Sequence, residues 1–266
     1  MQGSASETPV SVPVSFDAQA ARIEEAALNA TVVREQMLYD GWLVRWAPAK
    51  ARRARSINVI RPALLALEEK LAFCRTLYAR AGQPLIFRLT SAGPDTGLDE
   101  QLHARGLERT NETRVMSLPL PLDAPAAAGQ RLRYEQADPA LFARITGELR
   151  AYAPEHVAEH GQRLAAVAVP CVRLLARDET GHVVAAGMAV LDGDLVGIFD
   201  VVVHEAFRRR GYARELASEL LNIGRQAGAG IAYLQVESAN TAGRQLYATL
   251  GFADRYVYWY RTHQHN

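Results

Sequence analysis

The stretch from Leu195 to Ala213, read Leu-Val-Gly-Ile-Phe-Asp-Val-Val-Val-His-Glu-Ala-Phe-Arg-Arg-Arg-Gly-Tyr-Ala, constrains this chain more than any other. Its apolar, β-branched first half predicts a buried strand, His204-Glu205 breaks it, and the arginine run leads into a helix that opens near Gly211. A helix start exposes backbone N–H groups without partners inside the helix, and its dipole places partial positive charge there. With Gly211 and Ala213 too small to shield those amides, and with Arg208, Arg209, Arg210 and Arg214 around them, the turn reads as a site for a bulky anion such as a pyrophosphate.

About twenty residues later comes a second block, Leu234-Gln-Val-Glu-Ser-Ala-Asn-Thr-Ala-Gly-Arg-Gln-Leu-Tyr-Ala-Thr-Leu-Gly-Phe252. It predicts a strand, an N-capping Asn240, and a short helix that carries Tyr247 and ends at Gly251. Arg208-x-x-Gly211-x-Ala213 followed by this block resembles the signature of the GNAT acetyltransferases, which move an acetyl group from acetyl-CoA to an amine. The resemblance covers residues 131 to 261. It implies an α/β (α+β) fold, a mixed, mostly antiparallel sheet flanked by helices.

The resemblance also implies roles. Acetyl-CoA is the cosubstrate and no metal is needed. The backbone of Val201, Val202 and Val203 pairs with the pantetheine arm, and the residues from Arg208, Arg209 and Arg210 through Gly211, Tyr212, Ala213 and Arg214 hold the pyrophosphate. Asn240 and Tyr247 touch the cofactor, and Tyr247 is the general acid for the leaving thiolate. An amine with pKa ~10.4 is neutral in only about one molecule in 10³ at pH 7, so a base must reach it. Some family members place a glutamate where this chain has Gln235, which cannot titrate. Glu237 and Asp200 remain as candidate bases, and simple alternation puts Asp200 on one strand face with Ile198 and Val202.

The first half repeats the order of the second. A helix from Pro62 to Arg80, a strand at Leu85 to Leu89 and a helix from Leu98 to Gly106 stand against the helix from Gly211, the strand from Ile231 and the helix ending at Gly251. This suggests a diverged internal duplication, with a degenerate copy at 16–120, a linker at 121–130, a catalytic copy at 131–266 and a disordered tail at 1–15. The first copy has Asn58-Val-Ile-Arg-Pro62 in place of the arginine and glycine turn, and Leu102 opposite Tyr247. It is expected to wall the substrate cleft without binding CoA.

Other features limit the function classes. The chain has 266 residues, 49% hydrophobic and 22% charged, with a net charge of +1. Those values predict a globular core, and the charge argues against a dedicated nucleic-acid binder, so the basic run Lys50 to Arg55 is not read as a nucleic-acid site. No apolar run reaches ~18 residues, so no membrane span is expected, and a cytoplasmic monomer or homodimer is the expectation. Cys74 and Cys171 read as two reduced thiols. His156-Val-Ala-Glu-His160 matches a zinc-peptidase pattern, but without a further ligand it reads as a pair of solvated or substrate-facing helix residues. The expected function is N-acetylation of a small-molecule or peptide primary amine; the alternative is a non-catalytic acyl-CoA sensor or scaffold.

Overall fold

The computed structural model describes residues 17–94, 97–121 and 131–263; the expected tail at 1–15 and nearly all of the expected linker at 121–130 lie outside them. The first half contains α1 (Ala18–Asn29), β1 (Gln36–Tyr39), β2 (Trp42–Arg45), β3 (Ile57–Val59), α2 (Leu67–Arg80), β4 (Ile86–Thr90), α3 (Leu98–His103) and β5 (Glu108–Pro119). The second contains β6 (Arg133–Gln136), α4 (Pro139–Arg150), α5 (Pro154–Ala166), β7 (Cys171–Arg177), β8 (Val183–Asp192) and β9 (Leu195–Val203). It continues with α6 (Tyr212–Gln226), β10 (Ile231–Glu237), α7 (Thr241–Thr249) and β11 (Ala253–Thr262).

These strands form one sheet in the order β1-β2-β3-β4-β11-β5-β10-β9-β8-β7-β6. It is mixed and mostly antiparallel, with parallel pairs only at β3–β4 and β9–β10, each joined through a crossover helix. Outward from the central β11–β5 pair, β4, β3, β2 and β1 mirror β10, β9, β8 and β7. The halves exchange their last strands: β5 lies between β10 and β11, and β11 lies between β4 and β5. Pairing on both edges explains why β5 spans Glu108–Pro119, well beyond the expected Arg114 to Leu118.

Local chemistry sets the element starts. Asp138 accepts the Leu141 N–H at 2.8 Å with Pro139 in the first turn of α4, and Asp17 caps α1 through the Ala20 N–H at 3.0 Å. Helix α2 begins at Leu67 and not at Pro62. The reason is Asp40, whose carboxylate accepts the N–H groups of Leu64 at 3.0 Å and Leu65 at 2.9 Å and holds that segment outside the helix. Asp40 and Gly41, both at positive φ (38° and 82°), make the two-residue turn of a β1–β2 hairpin whose first strand the sequence pattern did not reveal. Lys70 is fully buried behind this turn, donating to the Asp40 carbonyl at 2.5 Å with its ammonium 3.7 Å from the Trp42 ring centroid.

Two cores cover the sheet of the second half. On one face Ala20, Ile23 and Ala27 of α1 join Phe142, Met188, Leu195 and Tyr233; on the other, Leu216 and Leu220 of α6 pack with Val196 and Leu234. Although α1 precedes the first half's strands, it therefore packs beneath the second half's.

Glu24 fastens this helix at the centre. Its carboxylate pairs with Arg88 of β4 and accepts the Tyr256 hydroxyl of β11 at 2.6 Å. Burial would raise the Glu24 pKa, but Arg88 and these hydrogen bonds outweigh it and hold the carboxyl below its ordinary range. The stability it contributes is thus complete above the unfolded carboxyl pKa and is lost as pH falls through the lower folded value. Glu24→Gln should leave Arg88 buried and unpaired and cost about 3 kcal/mol in urea unfolding, a deficit that narrows in acid. An unchanged midpoint would show that the pair contributes nothing net.

Candidate active site

Strand β9 pairs with β10 from Leu195 to Ile198 and then leaves it, while β10 stays paired to β5 as far as Glu237. The far edge of β9 stays on β8 out to Val203. The two strands therefore open into a V whose inner edge, from Phe199 to Val203, carries backbone groups with no strand partner. Its cause is a bulge: Asp200 sits at φ 54°, and between the pairs Phe199–Met188 and Val202–Ala186 two residues of β9, Asp200 and Val201, stand against one of β8, Gly187. The bulge also corrects the simple alternation, because Ile198 and Val202 pack into opposite cores.

At the mouth of the V stands the amino terminus of α6. Gly211, at φ 84°, is its N-cap without a side-chain cap, and Arg209 is also left-handed at φ 64°. Among the described residues no acceptor takes the amides of Arg209, Arg210 or Gly211, and those of Tyr212 and Ala213 lie in the helix's unbonded first turn. These amides have no acceptor of the chain's own among the described residues, so the turn fits an anionic ligand such as a diphosphate.

The V and the turn form one cleft of about 860 Å³. It gathers Asp200, Val201, Val202, Val203, Arg208, Arg209, Gly211, Tyr212, Ala213, Arg214, Glu237, Asn240 and Tyr247. Arg210 is not in its wall; its guanidinium lies 5.1 Å from the Phe207 ring centroid. Asn240 caps α7 by accepting the Gly243 N–H at 2.9 Å. Tyr247 packs edge-on against Phe252, and burial pushes its phenol up to about 12.

Residues 134–252 match the acetyltransferase (GNAT) family. This is the GNAT acetyltransferase fold. A GCN5-related N-acetyltransferase from Kribbella flavida superposes with a TM-score of 0.67 at 16% identity, over 93% of this chain and 96% of that one. A tandem GNAT protein from the clavulanic acid biosynthesis pathway gives 0.59 at 14% identity, over 96% of this chain and 99% of that one. A ribosomal protein bS18-alanine N-acetyltransferase from Haemophilus ducreyi is 30% identical over 74 residues, 28% of this chain. The match spans about half of that relative, 51% of its length. The acetyltransferase family match lies wholly in the second half, on the elements that carry most of the cleft.

Beyond the bulge a smaller chamber of about 400 Å³ adjoins this cleft, sharing Arg53, Arg150, Asp200, Gln235 and Glu237 with it. Asp200 is engaged on both oxygens, by His160 Nε2 at 3.0 Å and Arg150 Nη1 at 3.1 Å. Burial would raise its pKa, but the His160 hydrogen bond and the Arg150 charge overcome this and hold the carboxyl far below the ordinary range. His160 is 5% exposed and belongs to α5, so the pair expected to be solvated or substrate-facing includes one buried residue tied to the motif strand. No group of three or more His, Cys, Asp or Glu among the described residues is placed to hold a metal ion.

Gln235 is held from both sides, its Oε1 accepting Arg53 at 2.6 Å and the Tyr258 hydroxyl at 3.3 Å. The Glu237 carbonyl accepts the Asn240 N–H at 2.9 Å, but its carboxylate has no hydrogen-bond or ion-pair partner among the described residues. Sequence reading missed His160, Arg150 and Arg53. The histidine spacing within α5 was visible, but its partner lies forty residues away on β9 and only the bulge turns Asp200 toward it.

Proposed function

We propose that this chain is an acetyl-CoA-dependent N-acetyltransferase acting on a primary amine. The observation that carries the reading is the opening of β9 from β10 next to an uncapped helix terminus, one cleft with an open strand edge and a group of free amides. Acetyl-CoA supplies the thioester. Val201 to Val203 would hold its pantetheine arm, and the amides from Arg209 to Ala213, with Arg208, Arg209 and Arg214, its diphosphate. Tyr247 keeps a proton for the departing sulfur, and Asn240 borders the same wall.

The base in this proposal is His160. Ionised Asp200 can only accept, so it fixes the imidazole proton on Nε2 and leaves Nδ1, which has no partner among the described residues, free to take a proton. Asp200 thereby orients the base and does not act as one. Glu237, unpaired at the chamber wall, draws the ammonium form of the acceptor in.

The mirrored sheet supports a tandem arrangement in which the first copy is structural. There, the Asp40 carboxylate already occupies amides ahead of α2, and Leu102 of α3, which falls opposite Tyr247 when Gly106 is aligned on Gly251, is buried and offers no hydroxyl.

Tyr247→Phe tests the reading. Turnover should fall roughly 10²-fold or more while CoA affinity, measured by calorimetry, holds. Because burial keeps the phenol protonated, wild-type kcat should show no alkaline decline below about pH 10. CoA binding with no acetyl transfer by wild type would favour the sensor reading.

A further inference from the structure

We infer that the smaller chamber selects an acceptor whose amine is accompanied, within a few bonds, by an anionic group, a carboxylate or a phosphate, held by Arg53 with Lys50 and Arg52. This rests on the acetyltransferase reading above and adds the class of acceptor.

The inference comes from a charge imbalance. The segment carrying these three cations is pinned from behind by the buried side chains of Ala47, Ala49 and Ala54, packed with Val33. With that face spent on the core, Lys50, Arg52 and Arg53 line the chamber. None of the three forms an ion pair with a carboxylate among the described residues, although the Arg53 charge reaches Asp200 and helps to lower its pKa. Lys50 lies 4.0 Å from the Tyr152 ring centroid, Arg52 donates to the Thr110 hydroxyl at 2.8 Å, and Arg53 donates to the Gln235 amide oxygen.

The chamber's own acids are mostly committed to other partners. Asp200 is taken by His160 and Arg150, and Glu159 by Arg163 at 2.5 Å, so Glu237 is the unpaired carboxylate. Three cations and a lone carboxylate lining one chamber match a zwitterionic acceptor. Arg53 borders both cavities and touches Gln235, the first β10 residue past the last β9 partner, so an anion on its guanidinium keeps the amine near the opening of the V. Its planar fork retains further N–H donors for a bidentate contact.

The test uses the full chain, acetyl-CoA and matched amines: glycine against glycinamide, and O-phosphoethanolamine against ethanolamine. Transfer is followed by CoA release, and binding of N-acetylglycine or N-acetylglycinamide to the CoA complex by calorimetry. At least one anionic member should exceed its neutral partner about tenfold or more in kcat/KM or affinity, with preference collapsing in Arg53→Ala and partly restored in Arg53→Lys. Which pair shows it separates carboxylate from phosphate. Equal handling of both pairs by wild type, or preference unchanged in Arg53→Ala, would overturn the inference while leaving the transferase reading intact. A wild type that binds no CoA would remove both.

Discussion

Gly211→Asp should abolish the thermal stabilisation that acetyl-CoA and free CoA give the wild-type chain. At ligand concentrations about 100 times Kd that stabilisation is ~2.7 kcal/mol, a shift readily seen in a melting curve. Two effects of the substitution act at the same atoms. A carboxylate at the N-cap of α6 would accept the amides left free for the ligand, and its charge would repel a diphosphate. The left-handed backbone at Gly211, φ 84°, is also strained for any residue with a Cβ, by about 1–2 kcal/mol. A good N-cap restores roughly 1 kcal/mol, so the unliganded protein should melt close to wild type, and loss of the ligand shift will not be mistaken for unfolding. Gly211→Ala separates the causes, since it brings the strain without the charge and should weaken binding less. A full CoA-dependent shift in Gly211→Asp would move the cofactor away from this turn.

Much of the cleft was legible because its parts are local in sequence. A strand, a basic turn and a helix start are contiguous from Leu195 to Ala213, and backbone chemistry at a helix terminus does not depend on distant partners. Asn240 and Tyr247 were legible for the same reason, the one capping and the other lying on a single short helix. What could not be read was everything that depends on a bulge or a crossing. One extra residue at Asp200 breaks the alternation that strand reasoning relies on and turns this carboxylate toward His160. Arg53 lies 182 residues from Gln235, and nothing in the spacing of either predicts their 2.6 Å hydrogen bond. The exchange of β5 and β11 between the halves was hidden too, because a strand's pattern records that it is buried and not which neighbour buries it. The late start of α2 depended on Asp40, a turn residue whose second role as acceptor for Leu64 and Leu65 follows only from the hairpin.

The His160–Asp200 pair yields the sharpest test of mechanism. His160→Gln and Asp200→Asn should each lower kcat by about 10²–10⁴ with CoA affinity retained, and the double variant should be little worse than the poorer single one. The first loses the proton acceptor itself. The second keeps the shape but can present an amide donor to the imidazole, stabilising the tautomer whose free nitrogen already bears a proton. A pair that acts as one unit gives non-additive losses, whereas two residues with separate roles would give losses that multiply. If the cluster were only a structural clasp, both variants would lose stability and keep kcat at low temperature. The clasp has its own pH signature: Asp200 titrates far lower when folded than when unfolded, so its contribution is complete above about pH 4 and disappears as pH falls toward the folded value. Activity lost at higher pH than that cannot arise from the clasp. Glu237→Gln completes the comparison. Retained kcat in His160→Gln together with a collapse in Glu237→Gln would transfer the base to β10, while a raised KM with little change in kcat for Glu237→Gln is expected of a residue that attracts the ammonium and leaves its deprotonation to His160.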